Sequence, residues 1–282
     1  MRKITLVVWT IISLHTVFAQ GNRVEDLLNF ELAHTQVIPI KDNQADRQYE
    51  LYVKLPEGYS ENDTIEYPVI YYTDAVWHIE ILSAATEFLI EDVILVGISW
   101  QKDNNEELVN EIGEHVSRYR DYSIQKSSNP EHQAKFQRGQ ASKHLTFIRT
   151  DVITYVENNY RTDPNNRSYF GYSMGGKFGA YILLSQPETF KNYILGSPGL
   201  NIPAFADLNA KATNDLNANV FISYGDLEKE LGQHAEAFIT MLKNRKDESL
   251  LLEHVVIKGS HQTAFPMTGV RSVTWLSNLT KD

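Results

Sequence analysis

Two runs constrain this chain more than any other feature: "YPVIYYTD" (67–74) and "VILVGISW" (93–100) are apolar almost throughout. A strand with one wet face alternates polar and apolar residues, whereas a strand covered on both faces has no such requirement. The stretch between them, "HIEILSAATEFLIE", has helical spacing. A buried strand, a helix and a second buried strand make a right-handed parallel crossover. The pattern recurs downstream. A helix over "ASKHLTFIRTDVITYVENNY" leads to the strand "RSYFGYS", a helix follows in "KFGAYILLSQ", and the strand "NYILGSPG" comes next. Then come "NVFISYGD", a helix through "GQHAEAFITMLKN", the strand "LLEHVVIKG" and a closing helix. The chain is therefore predicted to be an α/β domain with a mostly parallel central sheet and helices on both faces. Near the start, "TQVIPI" and "RQYELYVKLP" alternate and predict an antiparallel edge pair, preceded by a short helix near "VEDLLNFELAH". In such sheets the working residues gather in loops at the carboxyl ends of the strands.

Residues 101–139 interrupt the alternation with charged, amide and aromatic residues and little apolar periodicity. A connection that long predicts a lid, a binding loop or a mobile segment, here over the face carrying those carboxyl ends. At the other end, "MRKITLVVWTIISLHTVFAQ" has a basic start, an apolar run and small residues at Val17 and Ala19. This predicts a signal peptide over residues 1–19, cleaved before Gln20, and an exported single domain over 20–282; an uncleaved anchor is the other reading. The chain has no cysteine, which excludes disulfides, thiolate metal sites and a cysteine nucleophile. Its net charge of −10, with no long basic run, argues against nucleic acid or an anionic membrane as partner. Nothing in the sequence indicates a metal or organic cofactor.

One segment carries chemistry. In "FGYSMGGKFG" (170–179), Ser173 stands between Gly171 and Gly175, after a β-prone run and before a helical one. A serine on so tight a strand-to-helix turn has its hydroxyl displayed, and flanking glycines let the two elements approach without a Cβ clash. A serine hydroxyl becomes a nucleophile when a histidine, oriented by a carboxylate, takes its proton. Downstream, "GDLEKE" offers Asp226, Glu228 and Glu230, and "GSHQTAFP" offers His261. His261, read as a loop histidine after the last strand, is preferred as base because His234 falls in a helical pattern and His254 in a strand. Glu228, with its longer arm, is preferred over Asp226 as the acid, and Glu230 suits the exposed first turn of the next helix. The oxyanion of a tetrahedral intermediate requires backbone N–H donors, for which Met174 and either Ala75 or Val76, preferably Val76, are placed. Trp77 is either a packing residue or a pocket wall.

With these pieces placed, the chain resembles the putative-esterase family of α/β hydrolases. "YPVIYYTDA", "RYRDYS", "GYSMGGKFGAYILLSQPETFKNYILGSPGL" and "GSHQTAFP" carry the likeness. The resemblance implies an α/β-hydrolase fold, Ser173 as nucleophile, His261 as base, Met174 as an oxyanion donor and Glu228 as acid. "SRYRDYS" is most similar to the branch acting on trilactone siderophores. Relatives commonly have glycine where this chain has Ala75, and "SPGLNI" lacks the aromatic residues of an aromatic clamp. Arg118 has two readings: pairing with nearby carboxylates, or binding an anionic substrate group through its planar fork. The expected activity is hydrolysis of an acyl or lactone ester through a covalent acyl-enzyme. An acyltransferase and a non-catalytic binding protein are the other readings.

Overall fold

The apolar runs become the middle of one sheet. In the computed structural model, which describes residues 31–59, 64–213 and 215–279, the strands are β1 (Thr35–Asp42), β2 (Arg47–Lys54), β3 (Tyr67–Thr73), β4 (Ile94–Ile98), β5 (Thr162–Tyr172), β6 (Asn192–Gly196), β7 (Asn219–Gly225) and β8 (Leu251–Ile257). They form an eight-stranded sheet in the order β1-β2-β4-β3-β5-β6-β7-β8. The pairs β1–β2 and β2–β4 are antiparallel and all the others parallel. Every residue of β4 and all but one of β3 is buried, as continuous apolar strands require. From Tyr49 onward β2 alternates buried and half-buried residues, as an antiparallel strand near an edge should.

Helices Ala75–Leu89 and His261–Leu279 pack on each other, while Met174–Ser185, Ile202–Lys211 and Lys229–Asn244 form a second group. The segment expected to be one helix over 141–160 is helical from Ala141 to Asn159, with a π-helical stretch at Ile148–Ile153. The expected leader, its cleavage point and most of the short helix near residue 24 lie outside the described residues. Residues 31–34, the end of that expected helix, are not helical. No helix of the described residues is long and apolar enough to cross a membrane.

The long connection at 101–139 is not structureless. It holds the short helices Glu106–Ile112, Arg118–Asp121 and Pro130–Phe136, the middle one continuing a 3₁₀ turn at Glu114–Ser117. Asn105 and Asn129 cap the outer two, accepting from the amides of Leu108 and His132 at 3.1 and 3.0 Å. The inner end of the segment is anchored to the core, because Tyr122 is buried and stacks on Phe178.

His144 lies beneath that anchor among Tyr49, Tyr122, Phe147 and Phe178, with ring centroids 5.4–5.7 Å away. Among the described residues neither of its ring nitrogens has a hydrogen-bond partner. Burial lowers its pKa, opposed by Asp121 and Asp42 and reinforced by Arg120 and Arg47. The folded imidazole is thus harder to protonate than the unfolded one, whose pKa is about 6.5. Its stabilising contribution is present above that pH and is lost as pH falls below it. Replacing His144 with phenylalanine is expected to make the thermal midpoint less sensitive to acidification below about pH 6.5. Differential scanning fluorimetry across pH checks this, and an unchanged pH profile would contradict it.

Candidate active site

The turn after β5 is built by close approach. A Cβ on Gly171 would stand 2.4 Å from the carbonyl carbon of Gly175, and one on Gly175 would stand 2.4 Å from Thr73 Oγ1. The strand, the helix Met174–Ser185 that follows this elbow, and the end of β3 therefore converge only because these positions lack side chains. Tyr169 pins the junction from below, its hydroxyl donating to the Gly175 carbonyl at 2.8 Å. Ser173 is left at φ 58°, ψ −113°, a backbone conformation that disfavours any residue with a Cβ. Its amide donates to the Gly196 carbonyl at 2.8 Å, which fixes the turn against β6. Gly171→Ala should destabilise the protein by about 1–3 kcal/mol, because the added methyl meets backbone rather than a movable side chain. Chemical denaturation measures this.

The carboxyl ends of β7 and β8 carry the residues expected to be the acid and the base. Glu228 immediately precedes the helix Lys229–Asn244, and its side chain is almost fully buried. Its Oε2 accepts from the Gly225 amide at 2.6 Å and from Ser197 Oγ at 2.7 Å. Its Oε1 meets His261 Nδ1 in a close hydrogen bond. Against an ionised carboxylate, which can only accept, Nδ1 is the donor, and Nε2 of a neutral ring then keeps its lone pair. His261 is the first residue of the last helix rather than a loop residue, and its side chain is about one-third exposed. It lies against the residue preceding Ser173: the Tyr172 and His261 rings are 5.1 Å apart, and the Tyr172 hydroxyl donates to the His261 carbonyl at 2.6 Å. Burial pushes that phenol up to about 12, so it remains a donor.

Asp226 has a different task. It is exposed, and its carboxylate accepts from the Gly259 amide at 2.8 Å, lacing the backbone of the histidine loop to β7. Glu230 sits in the first turn of the following helix, as its position suggested. His234 lies within that helix and His254 within β8.

At the end of β3, Ala75, Val76 and Trp77 form the first turn of the next helix. Among the described residues no hydrogen bond engages the amides of Val76 or Met174, whereas the Trp77 amide donates to the Asp74 carbonyl at 2.9 Å. Ala75 is fully buried, while Val76 and Trp77 are half exposed. Trp77 lies edge-on to Trp100 at 4.7 Å and beside His115 at 5.3 Å, so it is both packed and displayed. Arg118 comes from the long connection, stands over Trp77 at 4.9 Å, and pairs with Asp74. A cavity of about 390 Å³ lies at the amino ends of the strands, lined by Asn166, Asn192 and Asn219 among others, and so at the opposite end of β5 from Ser173.

Ser197, Tyr172 and Asp74 were not singled out from the sequence. Each follows or ends a strand of the parallel sheet, in "ILGSPG", "YFGYS" and "YYTD", and that position is the signal available for them.

The fold and the family match define the class: a serine ester hydrolase built on an α/β-hydrolase fold. The chain belongs to the family described as Putative esterase, whose profile matches residues 43–281. It is 25% identical over 224 residues to the ferri-bacillibactin esterase BesA of Bacillus subtilis (strain 168), covering 71% of this chain and 73% of that protein. Among solved structures it is similar to the BES protein from Bacillus cereus, with a TM-score of 0.74 at 18% identity, over 89% of this chain and 98% of that one. It is also similar to an IroE-like serine hydrolase from Shewanella oneidensis, with a TM-score of 0.72 at 19% identity, over 86% and 80% of the two chains.

Proposed function

We propose that the protein is an exported esterase that opens a lactone or acyl ester of a siderophore-type substrate through a covalent acyl-enzyme on Ser173. The observation that carries the reading is the buried Glu228 carboxylate on His261 Nδ1, beside the turn that displays Ser173. The similarity to a ferri-bacillibactin esterase supports the substrate class. Ser173 Oγ attacks the ester carbonyl carbon while His261 Nε2 takes its proton, and the N–H groups of Met174 and Val76 receive the developing oxyanion. Collapse breaks the carbon–oxygen bond, and the imidazolium returns the proton to the departing alcohol oxygen. Water repeats the sequence on the acyl-enzyme and frees Ser173. Glu228 stays ionised throughout and stabilises the imidazolium. Trp77 forms one wall of the substrate cleft.

A panel of p-nitrophenyl esters of varied chain length, aryl esters and siderophore lactones tests the substrate class, with lactones expected to give the highest kcat/KM. A fluorophosphonate should label Ser173 and no other residue. A protein that hydrolyses these esters while Ser173 stays unlabelled overturns the nucleophile assignment. Export is tested by N-terminal mass analysis of the mature protein, which should begin at Gln20, and an intact Met1 would contradict it.

A further inference from the structure

Asp74 ends the turn after β3 with a fully buried side chain and a left-handed backbone, φ 58°, ψ 48°. A buried carboxylate is costly to desolvate unless it is well paired. This one is paired from several sides. Arg118 Nε lies 2.7 Å from Oδ1 and Arg118 Nη2 donates to Oδ2 at 3.1 Å. Trp100 Nε1 donates to Oδ1 at 2.6 Å, and the Tyr122 hydroxyl donates to the same oxygen at 3.4 Å. The carboxylate also borders the elbow, since a Cβ on Gly175 would fall 3.3 Å from Oδ2. Asp74 thus stands between two stretches of backbone. One carries the Val76 amide two residues later, and the other carries the Met174 amide just before Gly175.

We infer that Asp74, clamped by Arg118, is a positioning residue that fixes the Val76 amide relative to the Met174 amide for the oxyanion. The inference rests on the proposed function above. It makes the 101–139 connection part of the catalytic scaffold, because Arg118 and Tyr122 both come from it and Trp100 stands at its root. It also gives the Arg118 guanidinium a different use from a free substrate fork, since two of its nitrogens face Asp74. A left-handed aspartate at such a turn persists only when its surroundings over-determine it, and those four contacts do so.

The test compares wild type with Asp74→Asn, Arg118→Gln, the double variant and the milder Trp100→Phe and Arg118→Lys. It measures kcat and KM on neutral p-nitrophenyl acetate and on an anionic ester, with inhibition by phenylboronic acid as a tetrahedral mimic. A misplacement of about 1 Å at a reacting centre lowers the rate about 10²-fold, so Asp74→Asn should lose about that much kcat with little change in KM. Boronate affinity should fall in step with kcat, because both report stabilisation of a tetrahedral species. The double variant should be no worse than the more damaged single variant, as expected of residues acting as a unit. Trp100→Phe and Arg118→Lys should shift kcat in the same direction by less, which keeps the inference testable if Asp74→Asn does not fold. Unchanged kcat in the folded variants overturns the inference. So does a rise in KM confined to the anionic ester, which would make Arg118 a substrate fork. Fluorophosphonate labelling of wild-type Ser173 is run beside these assays. Its absence removes the proposed function, whereas labelling with unaffected variants removes only the role of Asp74.

Discussion

Ser173→Ala is expected to reduce ester hydrolysis to background, a loss on the order of 10⁶-fold in kcat by analogy with serine-nucleophile removal elsewhere. The thermal midpoint should stay where it is. The Ser173 side chain has no hydrogen bond among the described residues that would be lost. Alanine keeps the Cβ, so the backbone strain at φ 58° is the same in both proteins. The measurement pairs initial rates on p-nitrophenyl acetate with scanning fluorimetry. A variant that retains a substantial fraction of activity removes Ser173 as nucleophile. A variant that loses activity together with its midpoint leaves the loss attributable to unfolding.

Glu228→Gln should lower kcat by about 10⁴-fold with the fold intact, as replacing the orienting carboxylate by its amide does in other triads. The cause here is geometric. The Gly225 amide and Ser197 Oγ both point at Oε2, so the glutamine oxygen settles there and its NH₂ faces His261 Nδ1. Nδ1 must then accept, the proton moves to Nε2, and the lone pair needed to take the serine proton is gone. Asp226→Asn should be nearly silent in kcat, since an amide oxygen can still accept from Gly259. Steady-state kinetics of the two variants decide between them. If Asp226→Asn is the more damaging change, Glu228 is not the orienting acid.

The parallel layers were legible because fully buried strands announce themselves, as β3 and β4 do in their unbroken apolar runs. The turn at Ser173 was legible for a related reason: a Cβ on Gly171 or Gly175 would stand 2.4 Å from backbone or side chain, and only glycine avoids that clash. The helices inside 101–139 were not, because seven residues give too few turns for an apolar stripe to repeat. They are held by asparagine caps and by partners distant in sequence. Asp74 escaped notice for the same kind of reason. Its meaning lies in Arg118, Trp100 and Tyr122, which are 44, 26 and 48 residues away. Ser197 likewise reaches across 31 residues to Glu228. Local pattern reports which residues can form a strand or a turn, whereas the polar contacts that set a carboxylate in place are made by tertiary structure.

The conformation of Ser173 bears on how this lineage can change. A residue with a Cβ held in that region costs about 1–3 kcal/mol that glycine does not. Ser173→Gly should therefore raise the thermal midpoint of an inactive protein, where Ser173→Ala leaves it unchanged. Selection for turnover is then what keeps the serine in place, and a copy released from that selection gains robustness with a single codon change. Duplicates of this gene that drift toward pure ligand capture would move downhill in folding free energy. Their expected mark is a glycine at this turn beneath an otherwise intact sheet.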